Sequence, residues 1–177
     1  SELNAGLKRL LEIAMEMVEV DTGGIYLLDE ADGGMDIAVH QGSSPAFVEA
    51  VSHWAPDGPQ MRLVSQGRPV FSSYQNLPFP QDEVRRREGL RATALVPLCH
   101  DGKAIGALAL SSHETDEIPL PTQIAIEAIA AQAAGAIARI RAEEALRESE
   151  IRLRAISTGA PVLLFAVDQD GIIRFED

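Results

Sequence analysis

Between Gly89 and Ser112 the chain carries two runs of small and apolar residues, Ala92–Leu98 and Lys103–Ser111, joined by Asp101-Gly102. An Asp-Gly pair supplies the positive φ angles of a two-residue hairpin turn, so the runs are predicted to be antiparallel strands. Their nearly continuous apolar character predicts a central position in the sheet, covered on both faces. Almost at once a helical pattern begins, opened by Pro119-Leu120-Pro121-Thr122 and lasting to about Ile156. A small domain that hands its central hairpin to a helix longer than its own core can cover is suited to passing a local change outward. That organisation favours a relay module over a self-contained catalyst.

A chain of 177 residues allows one complete domain plus shorter pieces. A hydrophobic fraction of 46% with 24% charged residues is ordinary globular composition, and no apolar stretch approaches the roughly 18 residues of a membrane span. A soluble piece with no membrane contact is expected. The net charge of −12 argues against nucleic acid, whose phosphates are neutralised by clustered Lys and Arg. Arg85, Arg86 and Arg87 form the one dense basic run, and with Asp82, Glu83 and Glu88 beside them they read as a solvated helical turn. The solitary Cys99 excludes an internal disulfide and fits a reducing, cytoplasmic compartment. The absence of a signal sequence and of an initiator Met suggests a piece of something larger.

Leu3, Leu7, Leu10, Leu11, Ala14, Met17 and Val18 share one helical face, with Lys8, Arg9, Glu12, Glu16 and Glu19 opposite. Thr22-Gly23-Gly24 is expected to end this helix. A strand pair then follows, Ile25–Asp29 and Met35–His40, around Ala31-Asp32-Gly33-Gly34. Ser44-Pro45 is an N-cap followed by proline at the first helical position, and Phe47, Val48, Val51 and Trp54 supply the stripe of a short second helix. Pro56, Pro59, Pro69, Pro78 and Pro80 make the stretch to Gly89 irregular, apart from a short strand near Val70–Ser72 and a helical turn from Asp82 to Glu88 stopped by Gly89.

The long helix carries two stripes. Ile126, Ile129, Ala130, Ala133, Ile137 and Ile140 are assigned to the domain's own core. Ile124, Ala128, Ala131, Gly135, Ala138, Ala142, Leu146, Ser149, Leu153 and Ile156 advance by fours and threes, with a stutter at Ala142. This second stripe predicts the seam of a parallel homodimer, with small residues allowing close approach in its first half and Leu and Ile knobs in its second. The alternative is a lone amphipathic helix with an alanine-rich side, although helices this long rarely persist unpacked.

The order helix, two strands, helix, irregular excursion, hairpin, long helix resembles a GAF domain, the sensory module of phosphodiesterases, phytochromes and bacterial signalling proteins. The specific marks are Ala92-Thr93-Ala94-Leu95-Val96-Pro97-Leu98, the Asp101-Gly102 turn, Ile105-Gly106-Ala107-Leu108 and Gly67-Arg68-Pro69-Val70, and the likeness covers about Leu3 to Ile140. The resemblance implies an α+β fold, a GAF-like antiparallel sheet flanked by helices with a long C-terminal signalling helix. Gly106 and its alanine neighbours would let helices sit close to the sheet, and Pro97 near a strand end would spare a ladder bond. Leu153-Arg154-Ala155-Ile156 with Ala160-Pro161, Val167-Asp168 and Asp170-Gly171-Ile172 resembles the opening of a PAS domain. The expected division is therefore 1–140 GAF-like, 141–156 coiled-coil linker and 157–177 the start of PAS.

The resemblance implies a pocket between the sheet and the irregular excursion, with Trp54, Met61, Phe71, Tyr74, Arg91, Thr93 and Ser111 near it and Arg91 as the anion contact if a ligand is present. Each has a ready structural role as well: core filling for Trp54 and Phe71, a surface ion pair for Arg91. Cys99-His100 lies on the wrong element for bilin attachment, and the fold's methionine sulfoxide reductases need a second thiol to resolve an oxidised Cys. The cyclic-nucleotide signature is not assembled, and His40, His53, His100 and His113 do not cluster as metal ligands. No cofactor, metal or catalytic residue is predicted. The reading is a regulatory module of a multidomain bacterial signalling protein, a sensor histidine kinase or cyclic-dinucleotide enzyme, relaying a small-molecule or conformational signal through a dimeric helix. The alternatives are a purely structural dimerisation module without ligand and a GAF-fold redox enzyme.

Overall fold

The computed structural model describes residues 1–18, 20–159, 165–167 and 173–175. They fall into two compact units, Ser1–Ala138 and Arg139–Asp177. The chain order is α1 (Glu2–Val18), β1 (Thr22–Leu28), β2 (Met35–Gln41), α2 (Pro45–Val51), β3 (His53–Trp54), α3 (Pro59–Val64), β4 (Val70–Ser73), a 3-10 turn (Tyr74–Asn76), α4 (Glu83–Glu88), β5 (Ala92–His100), β6 (Lys103–Ser112), α5 (Leu120–Gly159), β7 (Phe165–Val167) and β8 (Ile173–Phe175).

In the first unit six strands form one antiparallel sheet in the order β3-β2-β1-β6-β5-β4. The predicted hairpin is its centre. Asp101 and Gly102 take φ of 50° and 74°, the two positive angles of a type I′ turn, and β5 and β6 pair from His100↔Lys103 to Ala92↔Ser112. Pro97 lies beyond the last β4 pair, Val70↔Leu95, where β5 has β6 as its single strand neighbour. It interrupts no pairing with β4.

Side chains directly opposite one another in an antiparallel sheet share a face, so the register sorts the core. The row Gly23, Leu110, Ala94 and Phe71 points one way; the next row, Thr22, Ser111, Thr93 and Ser72, points the other. A Cβ added to Gly23 would meet Leu110 Cδ2 at 2.7 Å and Leu11 Cδ1 at 3.1 Å, which places α1 over the first face. Thr22-Gly23-Gly24 is therefore buried strand, not a helix stop, because the bare backbone makes room for α1. The helix ends earlier, at Val18.

On α1 the buried residues are Leu3, Leu7, Leu11, Ala14, Met15 and Val18. Met17, expected in the core, is 63% exposed, and Leu10 is half-buried. Met17 stands about 200° round the helix from Met15, so one of the two had to face away. On α5 the buried residues are Ile126, Ala130, Ala133, Ala134 and Ile137, and Ile129 and Ile140 are half-buried. The proline-rich excursion contains more order than its sequence suggests: Pro59 opens α3, and Trp54 belongs to an edge strand paired with Met35 instead of to α2. Asp82 caps α4 by accepting from Arg85 N, and Gly89 closes it in the left-handed region at φ 71°.

In the second unit α5 continues to Gly159, and β7 and β8 form an antiparallel pair, Phe165↔Phe175 to Val167↔Ile173. The residues that carry most of the PAS resemblance, 160–164 and 168–172, lie outside the described residues. Among the described residues no helix is long and apolar enough to cross a membrane.

Gly106 is needed for strand approach, not for the helix contact expected of it. A Cβ there would lie 2.4 Å from the Tyr26 carbonyl oxygen of β1, a backbone atom that cannot swing aside. Gly106→Ala is expected to lower stability by about 1–3 kcal/mol, read as a lower urea midpoint at unchanged slope.

Candidate ligand-binding site

The second sheet face floors a cavity of about 60 Å³. Thr22, Gly24 and Tyr26 of β1, Ala109 and Ser111 of β6, and Thr93 and Leu95 of β5 form the floor. Phe47, Val48 and Val51 of α2, Tyr74 of the 3-10 turn, and Phe79 and Leu90 form the roof, while Ile37, His40, Ser43, Trp54 and Gln60 close the sides. The alternation 22, 24, 26 along β1 is what brings those side chains to one face.

Aromatic packing shapes the walls. Trp54 stacks on Tyr26 with centroids 3.7 Å apart, and Tyr74 meets Phe47 and Phe79 edge-on at 6.4 and 5.7 Å. Burial pushes the Tyr26 phenol far above its usual range, with the nearby Tyr74 adding to the rise. Burial likewise raises Tyr74, against a partial downward pull from the Arg85 guanidinium. Both phenols stay neutral at physiological pH. The polar lining comes in pairs: Thr93 and Ser111 share a hydrogen bond of 2.9 Å, and Thr22 bonds Ser43.

The roof is tied down at two points. Ser44 caps α2 by accepting from Phe47 N at 3.3 Å, as the sequence predicts, and is itself held by Glu88 at the end of α4, which accepts from Ser44 N and Oγ. The Glu88 side chain is 5% exposed and also faces His113 Nε2 at 3.4 Å, whose Nδ1 lies 3.0 Å from Asp21. The second tie is Arg85, which the sequence placed in a solvated turn. It is 9% exposed, donates to Ala50 O of α2 at 3.0 Å and bonds Asp82, while its Nε has no partner. The Arg85 backbone N–H, and then its charge, hold the Asp82 carboxyl below its usual range. Arg86 and Arg87 are exposed, as expected of the run.

Of the residues singled out in the sequence, Trp54, Tyr74, Thr93 and Ser111 line the cavity; Met61, Phe71 and Arg91 do not. Phe71 shares a row with Ala94, so strand alternation turns it to the opposite face. Met61 is half-buried and packs against the apolar cluster that contains Trp54 and Val64. Arg91 is spent on an ion pair: its Nε and Nη2 donate to Asp116 at 2.8 Å each and its Nη1 to Glu114 O at 2.7 Å. That fork raises Arg91 and lowers Asp116 from their usual ranges. The alternation in β1 could have revealed Thr22 and Tyr26; nothing local marks Gln60, which arrives between prolines.

Cys99 is exposed at the end of β5 and does not line the cavity. Among the described residues no group of His, Cys, Asp and Glu is arranged to hold a metal ion.

The sequence matches the GAF domain family over residues 2–138. The chain belongs to the GAF family. GAF domains are regulatory and sensory modules of signalling proteins. Among solved structures, a domain described as part of a two-component sensor histidine kinase protein from Sinorhizobium meliloti 1021 is 25% identical, with a TM-score of 0.67, covering 78% of this chain and 92% of that one. The GAF domain of a phosphoenolpyruvate-protein phosphotransferase from Coxiella burnetii is 18% identical with a TM-score of 0.70, covering 81% and 86%. A type II free methionine-R-sulfoxide reductase from Thermoplasma acidophilum is 15% identical with a TM-score of 0.61, covering 75% and 90%, which shows shared fold alone. No curated protein matches.

Two outcomes follow for this GAF domain. Arg85→Ala removes charged hydrogen bonds that tie α2 to α4 and should cost about 1.5–3 kcal/mol in urea unfolding. Arg87→Ala, whose partner Glu83 is equally exposed, should cost about 0.5 kcal/mol or less. The second concerns pH. His53 is raised above its usual 6.5, first by its 2.7 Å bond to Asp36 and further by Asp32. Because the folded value is raised, the stabilisation is complete below about pH 6.5, the unfolded value, and is lost as pH climbs from there through the higher folded value. The urea midpoint should therefore fall more between pH 6 and pH 8 in the parent than in His53→Gln, with salt shrinking the difference.

Proposed function

We propose that this GAF domain is the sensory and dimerisation module of a multidomain bacterial signalling protein, in which a small molecule in the cavity biases a helix pair. A sensor histidine kinase is the favoured setting, given the likeness to the Sinorhizobium meliloti domain. In this reading residues 157–177 begin a PAS domain and the module works in the cytoplasm, as the lone Cys suggests.

One observation carries the proposal: β6 floors the cavity with Ser111 and, one residue earlier, turns Leu110 to the face packed by α1. A ligand that shifts Ser111 pushes on the strand that holds the helical layer. The effect on output is limited to the difference in the ligand's affinity for the two helix arrangements, with about 1.4 kcal/mol for each tenfold.

The heptad-spaced stripe supports a second copy of this chain as the partner. Within the first unit Ile124 is 61% exposed, and Ala128, Ala131 and Gly135 are exposed, with Ala138 half-buried. Ile13 and Met17 of α1 add exposed apolar surface beside this face, around a groove lined by Ala125, Ala128 and Ile129. Further along α5, Ala142, Leu146, Ser149, Leu153 and Ile156 are exposed in the second unit. Within the first unit alone, an exposed apolar patch of this kind is uncommon on a monomer.

Sedimentation velocity should find the protein dimeric at micromolar concentration. Ala131→Glu, which helix propensity tolerates, should weaken the dimer about tenfold or more by burying an unpaired carboxylate, with the helical signal unchanged. A parent that stays monomeric at several hundred micromolar overturns the dimer reading.

A further inference from the structure

The chemistry of the cavity wall restricts what it can hold. Among the described residues no Lys, Arg, Asp or Glu side chain lines it. An ammonium buried there would have no counter-ion, and a carboxylate could meet only the exposed imidazole of His40 at the side, so burying either charge costs far more than burying a neutral group. An uncharged occupant is selected.

Gln60 narrows the class. It is only 8% exposed, it lines the cavity, and among the described residues its side-chain amide has no hydrogen-bond partner. A primary amide presents its carbonyl acceptor and one N–H donor side by side on one planar edge, with its second N–H pointing away from it. Another amide edge satisfies both at once, with N–H to C=O in both directions, and does so without an ionisable proton. The Thr93–Ser111 and Thr22–Ser43 pairs add to this, since each pair uses one hydroxyl proton internally and keeps one O–H free to donate. The remaining wall is aromatic and aliphatic, suited to a short apolar body. The cavity volume of about 60 Å³ is small, so the body is small unless the walls part.

We propose that the cavity binds a small uncharged amide (a carboxamide, urea or lactam) paired edge to edge with Gln60. This rests on the ligand-carrying reading given under Proposed function and names the ligand class.

Trp54 is the single tryptophan of the chain and forms one wall, so its fluorescence and its indole NMR resonance report occupancy. The whole chain is titrated with propionamide, propionate and butanone, which have equal numbers of non-hydrogen atoms and differ in charge and in donor capacity. Propionamide should bind about tenfold tighter than propionate, and several-fold tighter than butanone, which accepts but cannot donate. Gln60→Leu should weaken propionamide about tenfold while leaving butanone unchanged or tighter. Gln60→Met, with an unbranched stem, serves if the leucine variant does not fold. Equal binding of propionamide and butanone, preferred binding of propionate, or propionamide affinity unchanged in the Gln60 variants overturns the amide assignment and leaves a ligand cavity standing. If none of the three moves the Trp54 signals at any concentration the protein tolerates, the ligand-carrying reading fails, and the amide assignment with it.

Discussion

The register between β1, β6 and β5 decides what every other part of the first unit can do. With Ser111 opposite both Thr22 and Thr93, three hydroxyl side chains line up on the cavity face; with Leu110 opposite Gly23 and Ala94, the neighbouring row offers an apolar bed to α1. A slip of one residue would exchange the two faces, placing hydroxyls under the helix and leucine in the cavity. Two features hold the register. The Asp101-Gly102 turn fixes where β5 becomes β6, and Gly106 lets the Tyr26 carbonyl come closer than any side chain permits.

Because successive residues of a strand point to opposite faces, β6 connects the cavity with the helical layer through adjacent positions. No long chain of contacts is needed for a change at Ser111 to be felt at Leu110. The roof is built differently. It consists of short elements, α2, α3, α4 and a 3-10 turn, none long enough to be stable alone. Arg85 reaching Ala50 O and Glu88 holding the Ser44 cap join α4 to α2. Over a floor of fully paired strands, a wall made of short, separately tied pieces is the part able to part for an occupant. The floor is the part able to report it.

Much of the scaffold was legible in the residues. The type I′ hairpin followed from Asp-Gly, the start of α2 from Ser44-Pro45, the end of α4 from Gly89, and the buried positions Ile126, Ala130, Ala133 and Ile137 of α5 from their spacing. The candidate site was legible only in part. Trp54, Tyr74, Thr93 and Ser111 do line the cavity, whereas Arg91 faces Asp116, Phe71 faces the other side of the sheet, and Tyr26 and Gln60 went unread. Arg85 illustrates why. In sequence it is one of three arginines among acids, and only the approach of α2, which brings the Ala50 carbonyl to it, makes it a buried tie.

Local chemistry by itself determined most of the elements, though not that Thr22-Gly23-Gly24 is strand or that Trp54 leaves α2: turn residues, caps and hydrophobic period act within a few positions of one another, so their energetic preferences are written in adjacent letters. Which strand lies beside which, which face each side chain takes and which arginine is buried were decided by tertiary structure alone. Those outcomes depend on partners far along the chain, such as Ser44 with Glu88 or Asp21 with His113, and their contact energies exist only after the sheet has closed.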